Sequence, residues 1–291
     1  RSTLFPYTTL FRSGRRVLVE QGAGSGAFYE DEDYVKAGAE IVPDCEELYK
    51  RADLILKVKE PLFNEAKQKH EIEMMHKGQY LLTFIHPAAP ANHEMVKQMA
   101  AQGVISLTLD GIPRISRAQN LDALTSMSTC AGYKGIMMAG NYLPKFMPQI
   151  FSAVGVIQPV NVLVIGTGVA GLQALATAKR LGAVTYAADI RPAAAEQASS
   201  LGAKIIDLGI KPEDAIGAGG YALSLSPENI DKERAIIARE LPKMDIVFCS
   251  ALVPGELAPV VITEEMVQSM APGSVDRKST RLNSSHGRRS R

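Results

Sequence analysis

The chain has 291 residues, 46% of them apolar and 22% charged, enough for two globular domains. No window reaches the roughly 18 consecutive apolar residues of a membrane span, and no leader with a basic start, apolar stretch and small-residue cleavage site is present. The formal charge of +1 hides an uneven distribution, because eight of the 32 basic residues and one of the 31 acidic ones lie in residues 1–13 and 276–291. The remaining body carries 24 basic against 30 acidic residues, a balance that excludes a nucleic-acid binder recognised by a basic surface.

Those two ends, RSTLFPYTTLFRS and DRKSTRLNSSHGRRSR, differ in composition from everything between them and resemble translated adapter sequence. They are set aside from fold reasoning. The alternative is a native basic tail for nucleic acid or an acidic membrane surface. With the ends removed, the body reads as a fragment that begins inside one domain and stops inside another. Cys45, Cys130 and Cys249 are odd in number and widely spaced, so they make neither a disulfide framework nor a metal pattern. They are expected to be reduced and buried, which places the chain in the cytosol.

In chain order, Arg16 to Glu20 (RVLVE) is a short strand, followed by a glycine-rich turn, a helix from Asp31 to Ala37 and a strand near Glu40. The apolar runs Asp53 to Val58 (DLILKV) and Gln79 to Ile85 (QYLLTFI) suit buried parallel strands. His93 to Gln102 is helical and Val104 to Leu109 a further strand. From Arg117 to Leu143 the chain has no proline and is rich in Ala, Met and Leu, as in a long helix leaving the first domain. A second strand–helix series starts at Asn161, so a boundary is expected near residues 146–159. The fold class is α/β: two Rossmann-like domains with parallel sheets joined by a long helix, both truncated. The expected divisions are 14–116, a linking helix 117–145, and 146–275.

The most informative stretch is NVLVIGTGVAGLQALATAKRLGAVTYAADIRP, beginning at Asn161. An apolar strand ends at Gly166, which allows a tight turn. Gly168 lets backbone N–H groups approach a pyrophosphate, and Gly171 lets the next helix pack on the strand. That helix, Val169 to Leu181, aims its N-terminus and positive dipole end at the phosphates. Asp189, at the tip of the next strand and 18 residues beyond Gly171, stands where a carboxylate accepts both hydroxyls of an adenosine ribose. A 2′-phosphate would meet its charge, so NAD(H) is expected rather than NADP(H), although Arg191 nearby could receive a phosphate. Thr167, Val169, Ala170 and Ile190 complete the expected nucleotide contacts. The upstream glycines Gly22, Gly24 and Gly26 also follow a strand, but Glu30, Asp31, Glu32 and Asp33 come next and would repel a pyrophosphate. They read as a structural turn.

At these residues, and at DIRPAAAEQASSLGAK, DIVFCSALVPGELAPVVITEEMV and PRISRAQNLDALTSMSTCAGYKG, the sequence resembles the alpha subunit of proton-translocating NAD(P) transhydrogenase, over roughly residues 15–275. The resemblance implies that Arg114, Gln119 and Asp122 surround the nicotinamide and its partner across the hydride-transfer gap. Two nicotinamide rings must be held in near-attack contact for that transfer. It implies that Ser250, Ala251, Leu252, Pro254 and Gly255 lie along the nicotinamide ribose. It also makes Gly219, Gly220 and Tyr221 a mobile loop that closes on the nucleotide, where the plain reading is a surface loop. Glu256 and Leu257 stand where the family has a basic residue and proline, which bears on partner contacts. The implied partners are membrane-embedded and NADP(H)-binding transhydrogenase subunits and a second copy of this subunit, with the chain cytoplasmic and peripheral at the inner face of the membrane. Alanine dehydrogenase shares the superfamily, and Lys59 and His86 fall at its pyruvate-binding lysine and acid–base histidine. A non-catalytic NAD-binding module is the third alternative.

Overall fold

The computed structural model describes residues 14–112, 116–216, 223–251 and 260–278, apart from the side chains of Ser116 and Gln119. The chain divides into two compact units, Arg1–Pro113 and Arg114–Arg291.

In the first unit, β1 (Leu18–Glu20) pairs in parallel with β2 (Glu40–Val42), and α1 (Asp31–Lys36) connects them. Helix α2 (Cys45–Arg51) is capped by Asp44, whose Oδ1 accepts from the N–H of Glu46 at 2.8 Å. Strand β3 (Leu54–Leu56), the small antiparallel pair β4 (Phe63–Asn64) and β5 (Lys69–His70), and α3 (Glu71–Met74) follow. Then come β6 (Tyr80–Thr83), α4 (His93–Gln102) and β7 (Ile105–Thr108). Strands β3, β6 and β7 form one parallel sheet in that order. Its core joins Tyr49, Ile55, Ile72, Leu81 and Met99. The sequence runs of these strands suggested burial on both faces. Instead the side chains alternate: Ile55, Leu81 and Thr83 point inward, while Leu54, Leu56, Tyr80, Ile105 and Leu107 are exposed.

The second unit begins with a 3₁₀ turn, Ser116–Leu121, and the long helix α5 (Ala123–Tyr142). A hairpin follows, β8 (Ile150–Ser152) against β9 (Gly155–Ile157). Next come β10 (Asn161–Ile165), α6 (Val169–Arg180), β11 (Val184–Ala188), α7 (Pro192–Ser200) and β12 (Lys204–Ile205). The series closes with α8 (Pro212–Ala215), α9 (Pro227–Glu240), β13 (Ile246–Cys249), α10 (Glu264–Gln268) and β14 (Val275–Lys278). The sheet is parallel throughout, in the order β12-β11-β10-β13-β14. Strand order reverses direction at β10, so a crevice opens above its carboxyl end.

Alternation along β10 builds a core on each face. Val162 and Val164 meet Ile136 and Ala139 of α5, Ala174 and Ala178 of α6, and Phe248. Leu163 and Ile165 meet Ile237 of α9, Val261, Ile262 and Met266 on the other face. At the amino edge, the Asp245 carboxylate accepts from the backbone N–H of Asn161 at 2.8 Å and from Lys145 Nζ at 2.6 Å, tying the start of β10 to that of β13.

Three expectations are corrected. The division falls after Pro113 rather than near residues 146–159, because α5 packs on α6. A Cβ on Gly132 would sit 2.1 Å from the carbonyl oxygen of Ala170, and one on Gly135 would sit 2.4 Å from the Phe248 ring. The helix read as a link is thus a layer of the second unit. Residues 276–278, set aside on composition, pair with β13 as part of β14. Cys45 and Cys249 are buried as expected, but Cys130 is exposed on α5.

Candidate functional site

Strand β10 ends at Gly166, whose φ of +83° is a left-handed conformation suited to glycine. A Cβ there would also lie 2.5 Å from the backbone nitrogen of Ala251. Gly171, one turn into α6, would place a Cβ 2.0 Å from the Gly166 carbonyl, so a glycine is needed to seat the helix on the turn. Ser250, just beyond β13, fastens the arrangement: its Oγ donates to the Gly166 carbonyl at 2.5 Å and its N–H to the Ile165 carbonyl at 2.9 Å.

Gly168 is different. It is the N-cap of α6, makes no side-chain cap, and a Cβ on it would meet no atom within 4 Å among the described residues. Crowding inside the chain therefore does not explain it. Its bareness leaves the first N–H groups of α6, those of Val169, Ala170 and Gly171, without a capping side chain, in the geometry that receives an anion.

Across from this turn, the Asp189 side chain at the end of β11 is only 4% exposed. Its Oδ2 accepts from the N–H and Oγ1 of Thr167 at 2.7 and 3.1 Å. Arg191 supplies the rest, donating from its backbone N–H and Nε to Oδ1 at 2.9 and 3.0 Å and from Nη2 to Oδ2 at 3.0 Å. The fork–fork geometry makes this a strong pair. Beside it runs a cleft lined by Asp189, Ile190, Pro192, Ile205, Asp207 and Leu208, which sets apolar side chains next to a polar anchor.

The structure thus brings together Gly166, Thr167, Gly168, Val169, Ala170, Gly171, Asp189, Ile190, Arg191, Ser250 and Ala251 at one edge of one sheet. Arg114, Tyr221, Leu252, Pro254 and Gly255 lie outside the described residues, as do Gly219, Gly220, Glu256 and Leu257. Gln119 sits in the 3₁₀ turn before α5. Asp122 is the N-cap of α5, its Oδ1 accepting from the Thr125 N–H at 3.0 Å and its Oδ2 from the Thr125 hydroxyl at 2.6 Å.

One acidic group carried no sequence expectation. Glu233 on α9 is 5% exposed. Burial first, and the Asp189 charge second, push its carboxyl up to about 7, with Arg234 acting the other way. The signal was present: Glu233 and Ile237 on the buried face of α9 and Leu241 just past its end recur every four residues, so a carboxylate occupies an apolar-stripe position.

In the first unit, His86 takes a left-handed φ of +50° after β6. Its Nδ1 lies 2.6 Å from Asp110 Oδ1, while Asp110 Oδ2 accepts from the backbone N–H of His86 at 2.7 Å and from the Thr108 hydroxyl at 2.6 Å. Burial works against ionisation of Asp110, but the Thr108 hydroxyl, the His86 N–H and the His86 charge hold its carboxyl below the ordinary range. Lys59 is exposed, and its carbonyl accepts from Thr83 Oγ1. The upstream glycine turn is structural: Asp31 Oδ1 already accepts from the Gly22 N–H, and a Cβ on Gly24 would strike the Tyr34 hydroxyl at 2.4 Å. No helix among the described residues is long and apolar enough to cross a membrane.

Two family models match the chain: "Alanine dehydrogenase/PNT, N-terminal domain" over residues 4–131 and "Alanine dehydrogenase/PNT, C-terminal domain" over residues 135–276. The chain is 42% identical over 267 residues to the NAD(P) transhydrogenase subunit alpha of Cereibacter sphaeroides, covering 91% of this chain and 50% of that protein. It therefore spans half the length of that relative. An alanine dehydrogenase of Methanococcus maripaludis is more distant, 31% identical over 266 residues and covering 90% and 63% of the two chains. Among solved structures, a transhydrogenase from Sinorhizobium meliloti superposes with a TM-score of 0.75 at 38% identity, covering 92% and 70% of the two chains.

Proposed function

Because the chain belongs to the alanine dehydrogenase/PNT family, we propose that its second unit binds NAD(H) and serves as the hydride-donating part of an NAD(P) transhydrogenase alpha subunit. Asp189 carries this reading. It is a buried carboxylate at a strand tip, opposite a bare, uncapped helix start. The pyrophosphate would lie on the N–H groups of Val169, Ala170 and Gly171, and the adenosine hydroxyls on Asp189 in place of the Arg191 guanidinium. The adenine would lie in the cleft at Ile190 and Leu208. With Asp189 already negative, a 2′-phosphate is disfavoured, which selects NAD(H) here and leaves NADP(H) to a partner subunit.

A bound nicotinamide supplies the hydride, so the chain's own contribution is position and closure rather than a proton donor. Arg114, Gln119 and Asp122 would orient the nicotinamide and its partner ring. Ser250 and Ala251, with Leu252, Pro254 and Gly255, would hold its ribose, and Tyr221 would close over the nucleotide. In the assembled enzyme, transfer to NADP⁺ on another subunit would be coupled to proton translocation by a membrane-embedded partner. This chain, paired with a second copy, would be held peripherally at the cytoplasmic face of the membrane.

The test is NADH binding to the purified chain, followed by fluorescence. Asp189→Ala removes charge-assisted hydrogen bonds worth roughly 1.5–3 kcal/mol, or about 10- to 100-fold in affinity. Unchanged affinity would take Asp189 off the ribose. A second reading, NAD-dependent reductive amination of pyruvate, draws on the His86–Asp110 contact and Lys59. NADH oxidation by pyruvate and ammonia, set against oxidation by an NADP analogue with the partner subunit, separates the two. Neither activity alongside intact NADH binding would mark a non-catalytic nucleotide-binding module.

A further inference from the structure

Helix α9 descends from the carboxyl edge of the sheet to the amino edge, where the chain turns into β13. Its buried residues are Glu233 and Ile237, and Ile237, with Leu241 just past the helix end, packs against Ile165 and Ala188, the last residues of β10 and β11. Glu233 lies one turn above Ile237, toward the edge that carries Asp189. Among the described residues, no cation lies within ion-pairing distance of it. The charged groups around it are Asp189 from β11, with Arg191 turned onto Asp189, and Arg234 on its own helix. The Arg234 guanidinium is engaged by the Val260 carbonyl and Asp231. The Cys249 thiol of β13 is packed in the same cluster.

We propose that Glu233 is a proton-linked positioning residue for Asp189: nucleotide binding takes up a proton on Glu233, and affinity falls as that proton is lost. The inference rests on the NAD(H) reading of the site. In the free chain Arg191 neutralises Asp189. When ribose hydroxyls replace that guanidinium, the Asp189 charge acts on Glu233 without its counter-charge, and a dinucleotide adds further negative charge nearby. A buried carboxyl next to an uncompensated carboxylate holds its proton more tightly. By reciprocity, whatever tightens the proton on binding makes the protonated form the tighter binder. The proton already sits near its release point at neutrality, since burial pushes Glu233 up to about 7. The coupling therefore falls in a range where binding can be measured on folded protein.

The experiment is calorimetric titration of the full chain with NADH, at about pH 6 and about pH 8.5, in buffers of different ionisation enthalpy. Affinity should be on the order of three- to tenfold weaker at the higher pH, with fractional proton uptake near neutrality. Glu233→Gln, a permanently neutral isostere, should bind with the tight affinity at both pH values. A flat wild-type profile without proton uptake overturns the proposal, as does a Glu233→Gln variant that keeps the wild-type slope. The two-buffer measurement on wild type decides the matter even where the variant does not fold. Absence of NADH binding at every pH would instead overturn the NAD(H) reading itself.

Discussion

The contact between α5 and α6 makes a sharp prediction at Gly132. An alanine Cβ there would sit 2.1 Å from the Ala170 carbonyl oxygen, 3.0 Å from its carbon and 3.1 Å from the Ala174 nitrogen. All three are backbone atoms of a helix, so no side-chain rotation relieves the clash. The helices must separate by roughly 1 Å where they cross, loosening a close-packed contact. Alanine favours the helix by about 1 kcal/mol over glycine, while overpacking of this kind costs about 1–3 kcal/mol or more. With three backbone contacts the steric cost should win. Gly132→Ala should lower the melting temperature by several degrees, at about 2–4 °C per kcal/mol for a unit of this size. Ala170 lies in the first turn of α6, so the same displacement moves the proposed phosphate-binding amides and should weaken NADH binding severalfold. The assay pairs thermal melts with NADH titration. Gly140→Ala is the internal control, because its Cβ would meet only the Met147 side chain, at 3.0 Å from the flexible sulfur. An unchanged or raised melting temperature in Gly132→Ala, with unchanged NADH affinity, would refute the reasoning.

Two further outcomes follow from single carboxylates. At Asp122, loss of the cap on α5 should cost about 0.5–2 kcal/mol in Asp122→Ala, whereas Asp122→Asn keeps a capping oxygen and should fold almost normally. If Asp122 faces the nicotinamide, Asp122→Asn should nonetheless slow hydride transfer with little change in NADH affinity; parallel loss of both in stopped-flow assays would count against that role. Glu233, raised from 4.5 to about 7 in the fold, contributes stability that is full below about pH 4.5 and lost as pH rises toward 7. Above neutrality the buried charge should cost roughly 3 kcal/mol. Glu233→Gln should therefore gain stability over wild type at pH 8 but not at pH 4.5, as read by urea unfolding at each pH; an equal difference at both would show that Glu233 does not titrate in the fold.

The strand–turn–helix from Asn161 to Arg180 and the placement of Asp189 were legible because they rest on local spacing: one strand, one turn and the next strand tip. Packing between distant segments was not. The run from Arg117 to Leu143 reads as helix throughout, yet Asp122 captures the Thr125 N–H and the residues before it wind as 3₁₀. Nothing local tells that Gly132 and Gly135 face Ala170 and Phe248, which is what draws α5 into the second unit. The runs around Leu54 and Ile105 look alike whether one face of a sheet is covered or two. Glu233 escaped because a glutamate in PENIDKERAIIARE resembles its solvated neighbours until the period of Ile237 and Leu241 is traced back through it.

The five hydrogen bonds on Asp189 have a consequence for exchange. Since Thr167 and Arg191 already satisfy that carboxylate, the sugar of the proposed ligand would displace the Arg191 guanidinium rather than meet a bare charge, while the bonds from Thr167 and the Arg191 backbone stay in place. When that ligand leaves, the guanidinium can fold back onto Asp189 and restore the fork–fork pair. A carboxylate whose own partners stand ready to return favours exchange of whatever it binds over retention.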